Sequence, residues 1–319
     1  MLTVAAGQRY FAVHFLLLKV LSSAGMGLTL KHADQRGVER IPLIRVNYAV
    51  AAVLAFLAAV AMHQTHVSRP TALLAVVTGV LFVAGLLVWS RAIQAAGLAL
   101  SVVAMRTSVV IPVLASVVFW RESASALELA GSGLALLALG LVLSGLRRSR
   151  ASGASSSTSP GLLNPKPEIQ NPKPSPRTVP PWLWLSLLFL VDGLVMVPAQ
   201  VFSRLLPQDE NLPFQALLFV SAFAVTTLLY YVSRQRVTRR SLELGSLLGA
   251  CNLGNYVFLV LALAVLPGVV VYPVIAAAEV VLMALAGAVL WRERVGVRSW
   301  VGIGLAVLAL VLVQLGRAV

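Results

Sequence analysis

Four ionisable side chains stand deep inside apolar runs: Lys19 in HFLLLKVLSS, Arg106 in LSVVAMRTSVV, Asp192 in LLFLVDGLVM and Glu279 in VIAAAEVVLM. A charge near the centre of a bilayer is costly, so it faces a bundle interior or an aqueous cavity rather than lipid. Both cations lie in the first half of the chain and both anions in the second. Three readings fit. The four groups line a solute path, with a carboxylate able to take up a coupling proton. They form structural ion pairs, such as Arg106–Glu279, that hold the halves together. Or a long side chain, Lys19 above all, runs along the helix to the interface.

Other polar residues recur at helical spacing. Asn252, Asn255 and Tyr256 fall at i, i+3 and i+4, Tyr272 and Glu279 are seven apart, and Arg45 and Tyr48 share a face. Such stripes bind a ligand or join helices by hydrogen bonds. Tyr48, Asn255 and Tyr272 therefore accompany the four charges as candidate pathway residues. His14, His63 and His66 show no metal-site spacing, and Cys251 is the single cysteine, so no metal or disulfide is expected. There is no nucleophile–base set and no ATP-binding loop. The sequence points away from an enzyme or a primary pump, with no catalytic residues and no cofactor.

The elements that must position these charges are membrane helices. Of 319 residues, 59% are hydrophobic and 11% charged, with mean hydropathy +0.90. A soluble domain has about a quarter of its residues charged. A helix needs roughly 20 apolar residues to cross a bilayer core. Ten segments suit it: 10–30, 41–62, 71–90, 98–119, 124–146, 182–206, 213–233, 242–265, 268–290 and 297–316. Many further spans follow the first, which lacks a small-residue cleavage site, so it reads as a helix and not a removed signal. Residues 147–181 are rich in Ser and Pro and read as a disordered or polyproline linker. The expected organisation is a five-helix unit over 1–146, the linker, and a second five-helix unit over 182–319.

The two units carry one repeated stretch. Windows starting at Trp120 and Trp291, 171 residues apart, share 13 identities over 26 residues. They include Trp120/Trp291, Glu122/Glu293, Gly131/Gly302 and Gly133/Gly304. The glycines open an apolar helix with no preceding strand, so they suggest close helix packing rather than a phosphate loop. The two glutamates sit where they would cap helix ends. With an odd number of spans per half, a duplicated half lies upside down relative to its twin. The expected fold is all-α, ten transmembrane helices as two inverted five-helix repeats.

The net charge of +14 follows the loops and not a nucleic-acid surface. Loops after odd-numbered spans, with the linker, hold 17 Arg and Lys; the opposite side holds 5. The positive-inside rule then puts the linker in the cytoplasm and both termini outside the cell membrane.

The segments RAIQAAGLALSVVAMRTSVVIPVLASVVFWRES and ALAVLPGVVVYPVIAAAEVVLMALAGAVLWRER, each followed by a Gly-rich final helix, resemble the drug/metabolite transporter superfamily, specifically its EamA-like ten-span branch. The span IPLIRVNYAVAAVLAFLAAV is similar to that branch as well. The resemblance implies a secondary transporter that moves a small organic metabolite or drug by alternating access. Its partners would be that solute, the bilayer and a proton as candidate coupling ion. The alternative is a non-transporting membrane scaffold or accessory subunit.

Overall fold

The computed structural model describes residues 2–96, 98–122, 180–233 and 235–291, with scattered positions between 126 and 141 and between 297 and 312. The linker 147–179, Glu293 and the side chain of Trp291 lie outside the described residues. Those described are helical between short turns, with no strand among them. In chain order the helices are α1 (Leu2–Gln35), α2 (Arg40–Ala61), α3 (Arg69–Ala96), α4 (Leu98–Thr107), α5 (Val110–Trp120), α6 (Pro181–Leu205), α7 (Asn211–Ser233), α8 (Arg239–Val265) and α9 (Gly268–Trp291).

Among the described residues, five helices are long and apolar enough to cross a membrane: Arg40–Ala61, Arg69–Trp89, Pro181–Leu205, Gln208–Ser233 and Arg239–Val265. The distribution of apolar residues agrees. On α2, Leu43, Asn47, Ala51 and Ala55 are buried, while Val53, Phe56 and Leu57 on the other face are more than half exposed. Apolar residues on both faces of a helix suit a protein surrounded by hydrocarbon.

Packing runs mainly between the two ends of the sequence. Helix α1 lies on α8, α2 on α7 and α8, and α3 on α6 and α7. One hydrophobic core draws on α1, α2, α3, α6, α7, α8 and α9. Its aromatic centre includes Phe202 stacked on Phe214 at 4.5 Å and Phe82 edge-on to Tyr256 at 5.3 Å. Close approach is paid for with glycine. A Cβ on Gly79 would sit 2.4 Å from the Leu218 carbonyl oxygen, and one on Gly249 would sit 2.6 Å from that of Asn47. By contrast, Gly133 and Gly304 have nothing within 4 Å of an added Cβ. The expectation that the Gly-x-Gly pairs make tight helix contacts fails at these two, because they face open space. Gly131 and Gly302 are buried.

The sequence suggested one span over 98–119. It is broken instead. Pro112 has no N–H to give the Ser108 carbonyl, which accepts the Ile111 N–H at 2.9 Å. The helix stops at Thr107 and restarts at Val110.

Loops gather at two ends. At one, Glu39 accepts the Arg236 backbone N–H at 2.9 Å, and Gln235 accepts that of Ile41 at 3.2 Å. At the other, buried Glu210 accepts hydrogen bonds from Thr71 and Ser68 and meets His66 at 3.1 Å.

Candidate functional site

The broken helix brings the four charges together. Lys19 of α1 donates to Oε1 of Glu279 on α9, and Arg106 of α4 donates to Oε2 of the same carboxylate at 2.7 Å. Ser23, one turn along α1 from Lys19, also hydrogen-bonds Glu279. At the break itself, the Ser108 hydroxyl donates to Oδ2 of Asp192 on α6 at 2.6 Å. Arg106, Glu279 and Lys19 all lie close enough to act on Asp192 electrostatically.

Burial grades across the cluster. The side chains of Lys19 and Glu279 are 9% and 6% exposed, whereas that of Arg106 is 29% exposed. One carboxylate thus pairs with two cations, and its partner on α4 is the more exposed of them. Asp192 has no ion pair among the described residues; a hydroxyl holds it. Two cations and two carboxylates balance when all are ionised. Buried charges persist only when paired and hydrogen-bonded in this way.

The expected Arg106–Glu279 pair is present. The snorkelling alternative for Lys19 is not: its ammonium turns inward because a carboxylate at the same depth offers more than the distant interface. Ser108 joins the site through the break, and Pro112, four residues on, is the sequence feature that marks it.

The other candidates lie apart from this hydrogen-bonded set. Tyr48 is buried and stacks on Phe219 with ring centroids 6.2 Å apart. Tyr272, 2% exposed, donates to the Met196 carbonyl at 3.1 Å, tying α9 to α6. Oδ1 of Asn255 and the hydroxyl of Tyr256 are buried without a hydrogen-bond partner among the described residues. Asn252 donates to Asn47 at 3.2 Å and joins α8 to α2. Arg45 is held by Thr227 at 3.2 Å and lies over the Tyr230 ring at 4.5 Å, so it fastens α2 to α7.

The Trp-Arg-Glu turn has a function in the fold that sequence alone left general. Arg121 adopts φ +47°, and the Glu122 N–H returns to the Ser116 carbonyl at 3.3 Å. This left-handed step aims Glu122 across the bundle. Its carboxylate caps α9, accepting the N–H of Gly268 at 2.6 Å and of Val269 at 3.4 Å. Arg204 donates to it at 2.6 Å and Gln200 at 3.3 Å, both from α6.

A separate cavity of about 430 Å³ lies between α2 and α7, lined by Phe56, Val60, Gln64, Leu217 and Val220 among others. It is almost wholly apolar and includes none of the four charges.

No protein-family model matches the chain, and no curated protein matches it either. A solved structure described only as "Crystal structure of protein" is similar over 96% of this chain and 97% of its own, with TM-score 0.69 and 14% identity. At that identity the likeness concerns the fold alone: the chain shares its architecture with a protein of almost the same extent.

Proposed function

We propose that the chain is a secondary transporter of the drug/metabolite type, built as ten spans in two inverted five-helix repeats. It would move a small organic solute across the cell membrane by alternating access. The observation that carries the reading is the buried charge cluster at a broken helix. Irregular backbone at membrane depth is tolerated where it lines a cavity or is buried in protein, and discontinuous helices mark the sites of many transporters. The partly exposed guanidinium of Arg106 offers an anchor for a carboxylate or similar anion, and Asp192 a counterpart for a cationic group. A zwitterionic or anionic solute suits that pair.

The repeat is supported by quasi-equivalent contacts. With offsets of 171–173, Lys19 corresponds to Asp192 and Ser108 to Glu279. The Lys19–Glu279 bond and the Asp192–Ser108 bond then become one contact seen twice. Gly79 against Leu218 and Gly249 against Asn47 exchange in the same way. So do α1 on α8 with α6 on α3, and α2 on α8 with α7 on α3. The charge count adds a cytoplasmic linker and outside termini.

The rival reading, a membrane scaffold, is favoured by the same pairing, since a fully paired cluster also holds halves together. Flux separates the two. The purified protein in liposomes is offered a panel of labelled amino acids, other metabolites and amphipathic drugs, with and without a pH gradient. Saturable uptake of one solute, lost in Glu279→Gln at equal expression, is expected. A folded protein that moves none of them leaves the scaffold.

A further inference from the structure

We propose that Glu122 is the latch of a gate that closes one mouth of the bundle, on the face away from the start of α6. The inference rests on the alternating-access reading above.

Helix α9 begins with Pro267-Gly268, and proline has no side chain able to cap it. The cap comes from another helix, as the carboxylate of Glu122. That one carboxylate collects donors from both helices that carry the cluster's carboxylates: Gly268 and Val269 of α9, Gln200 and Arg204 of α6. Arg204 also donates to the Leu266 carbonyl at 3.2 Å, adding the end of α8. Beneath the carboxylate, Gln200 donates to Ser116 of α5 at 2.6 Å. Gly268 is required there, since a Cβ on it would lie 2.3 Å from Ser116 Oγ and 2.7 Å from Gln200 Nε2.

The seal continues inward. Residues 269–277 of α9 are all buried, and Tyr272 is tied to α6 at Met196. Glu279 lies eleven residues below Gly268, about 16 Å along the helix, so this stretch is a plug over the charge cluster. Among the described residues, opening a path from the cluster to this face parts α9 from α6. That motion breaks the bonds Glu122 makes to at least one of the two helices, because the carboxylate cannot follow both. A single acceptor shared by two moving elements holds both only when the mouth is closed.

The test reads opening without any solute. In a Cys251→Ser background, Ala199→Cys on α6 places a thiol at a position with no exposed surface beside Gln200. The protein in nanodiscs is treated with a polar maleimide, alone and with Glu122→Gln, Arg204→Gln or Gly268→Ala. Labelling about tenfold faster in all three variants is expected, from loss of charge-assisted hydrogen bonds in the first two and displacement of Ser116 and Gln200 by the new methyl in the third. Parent-like labelling in the variants that retain the parent's thermal midpoint overturns the latch. If Glu122→Gln does not fold, the other two decide. Fast labelling in a protein that carries no solute sinks the transport reading alone; normal transport with unchanged labelling sinks the latch alone.

Discussion

Replacing Glu279 by Gln tests the charge cluster most directly. The substitution keeps the shape and one acceptor but removes the charge that both Lys19 and Arg106 use. Breaking a buried pair by removing one partner costs about 3–5 kcal/mol, because a charge is left uncompensated. The lower end applies here. Lys19 is 9% exposed and cannot reach water, but Arg106, at 29%, can turn outward. A loss of about 3 kcal/mol corresponds to a fall of roughly 4–5 °C in Tm for a chain of this size. The assay is thermal unfolding of purified protein in one detergent, for Glu279→Gln, Lys19→Met and the double variant. The double variant should recover much of the loss, with a coupling of about 1.5–3 kcal/mol, since it removes charge and counter-charge together. Strictly additive losses, or a change in Tm under 2 °C for Glu279→Gln, would refute the shared-carboxylate account.

Gly79→Ala and Gly249→Ala should each lower Tm markedly, because the new methyl meets a carbonyl oxygen of the neighbouring helix. Gly133→Ala and Gly304→Ala should be neutral or raise stability by up to about 1 kcal/mol, and the same Tm series reads both sets. Thr238→Ala removes the capping box of α8, in which Thr238 accepts the Ser241 N–H at 3.1 Å, and should cost about 1 kcal/mol in denaturant unfolding. For orientation, a Cys at Ser157 in a Cys251→Ser background should resist an impermeant thiol reagent in intact cells and react after lysis; labelling in intact cells would reverse the assigned sides.

The site was legible where physics penalises an error. A charge inside an apolar run must be paired or functional, so Lys19, Arg106, Asp192 and Glu279 stood out before any contact was known. The Arg106–Glu279 pair was among those expected, but that Lys19 shares the same carboxylate was not legible. Lys19 and Glu279 are 260 residues apart, and nothing in either local sequence states the depth of the other. Pro112 marked a disturbance of the fourth span, but the break falls four residues earlier, where its missing N–H matters. The glycines show the opposite failure. Gly133 and Gly304 repeat at one register and drew attention, yet they face open space. Gly249, four residues after Gly245 in α8, and Gly79 in α3 repeat at no register that draws the eye, and only the neighbouring backbone reveals why each lacks a side chain. The aim of Glu122 depended on the left-handed step at Arg121, a conformation that sequence does not announce for arginine.

The long separation between Lys19 and its counter-charge has a consequence for biogenesis. Synthesis runs at roughly 5–20 residues per second, so 260 residues take on the order of 10–50 s. Lys19 has emerged throughout that interval, and Arg106 for the last 173 residues of it, before Glu279 is made. The nascent first half therefore carries two uncompensated cations at bilayer depth, and most of the helix faces that will cover them are still unmade. It must wait beside the insertion machinery, or in a shallower position, until α9 arrives. Pairing with Glu279 then completes the setting of Lys19 and Arg106, which makes α9 the last element that α1 and α4 need.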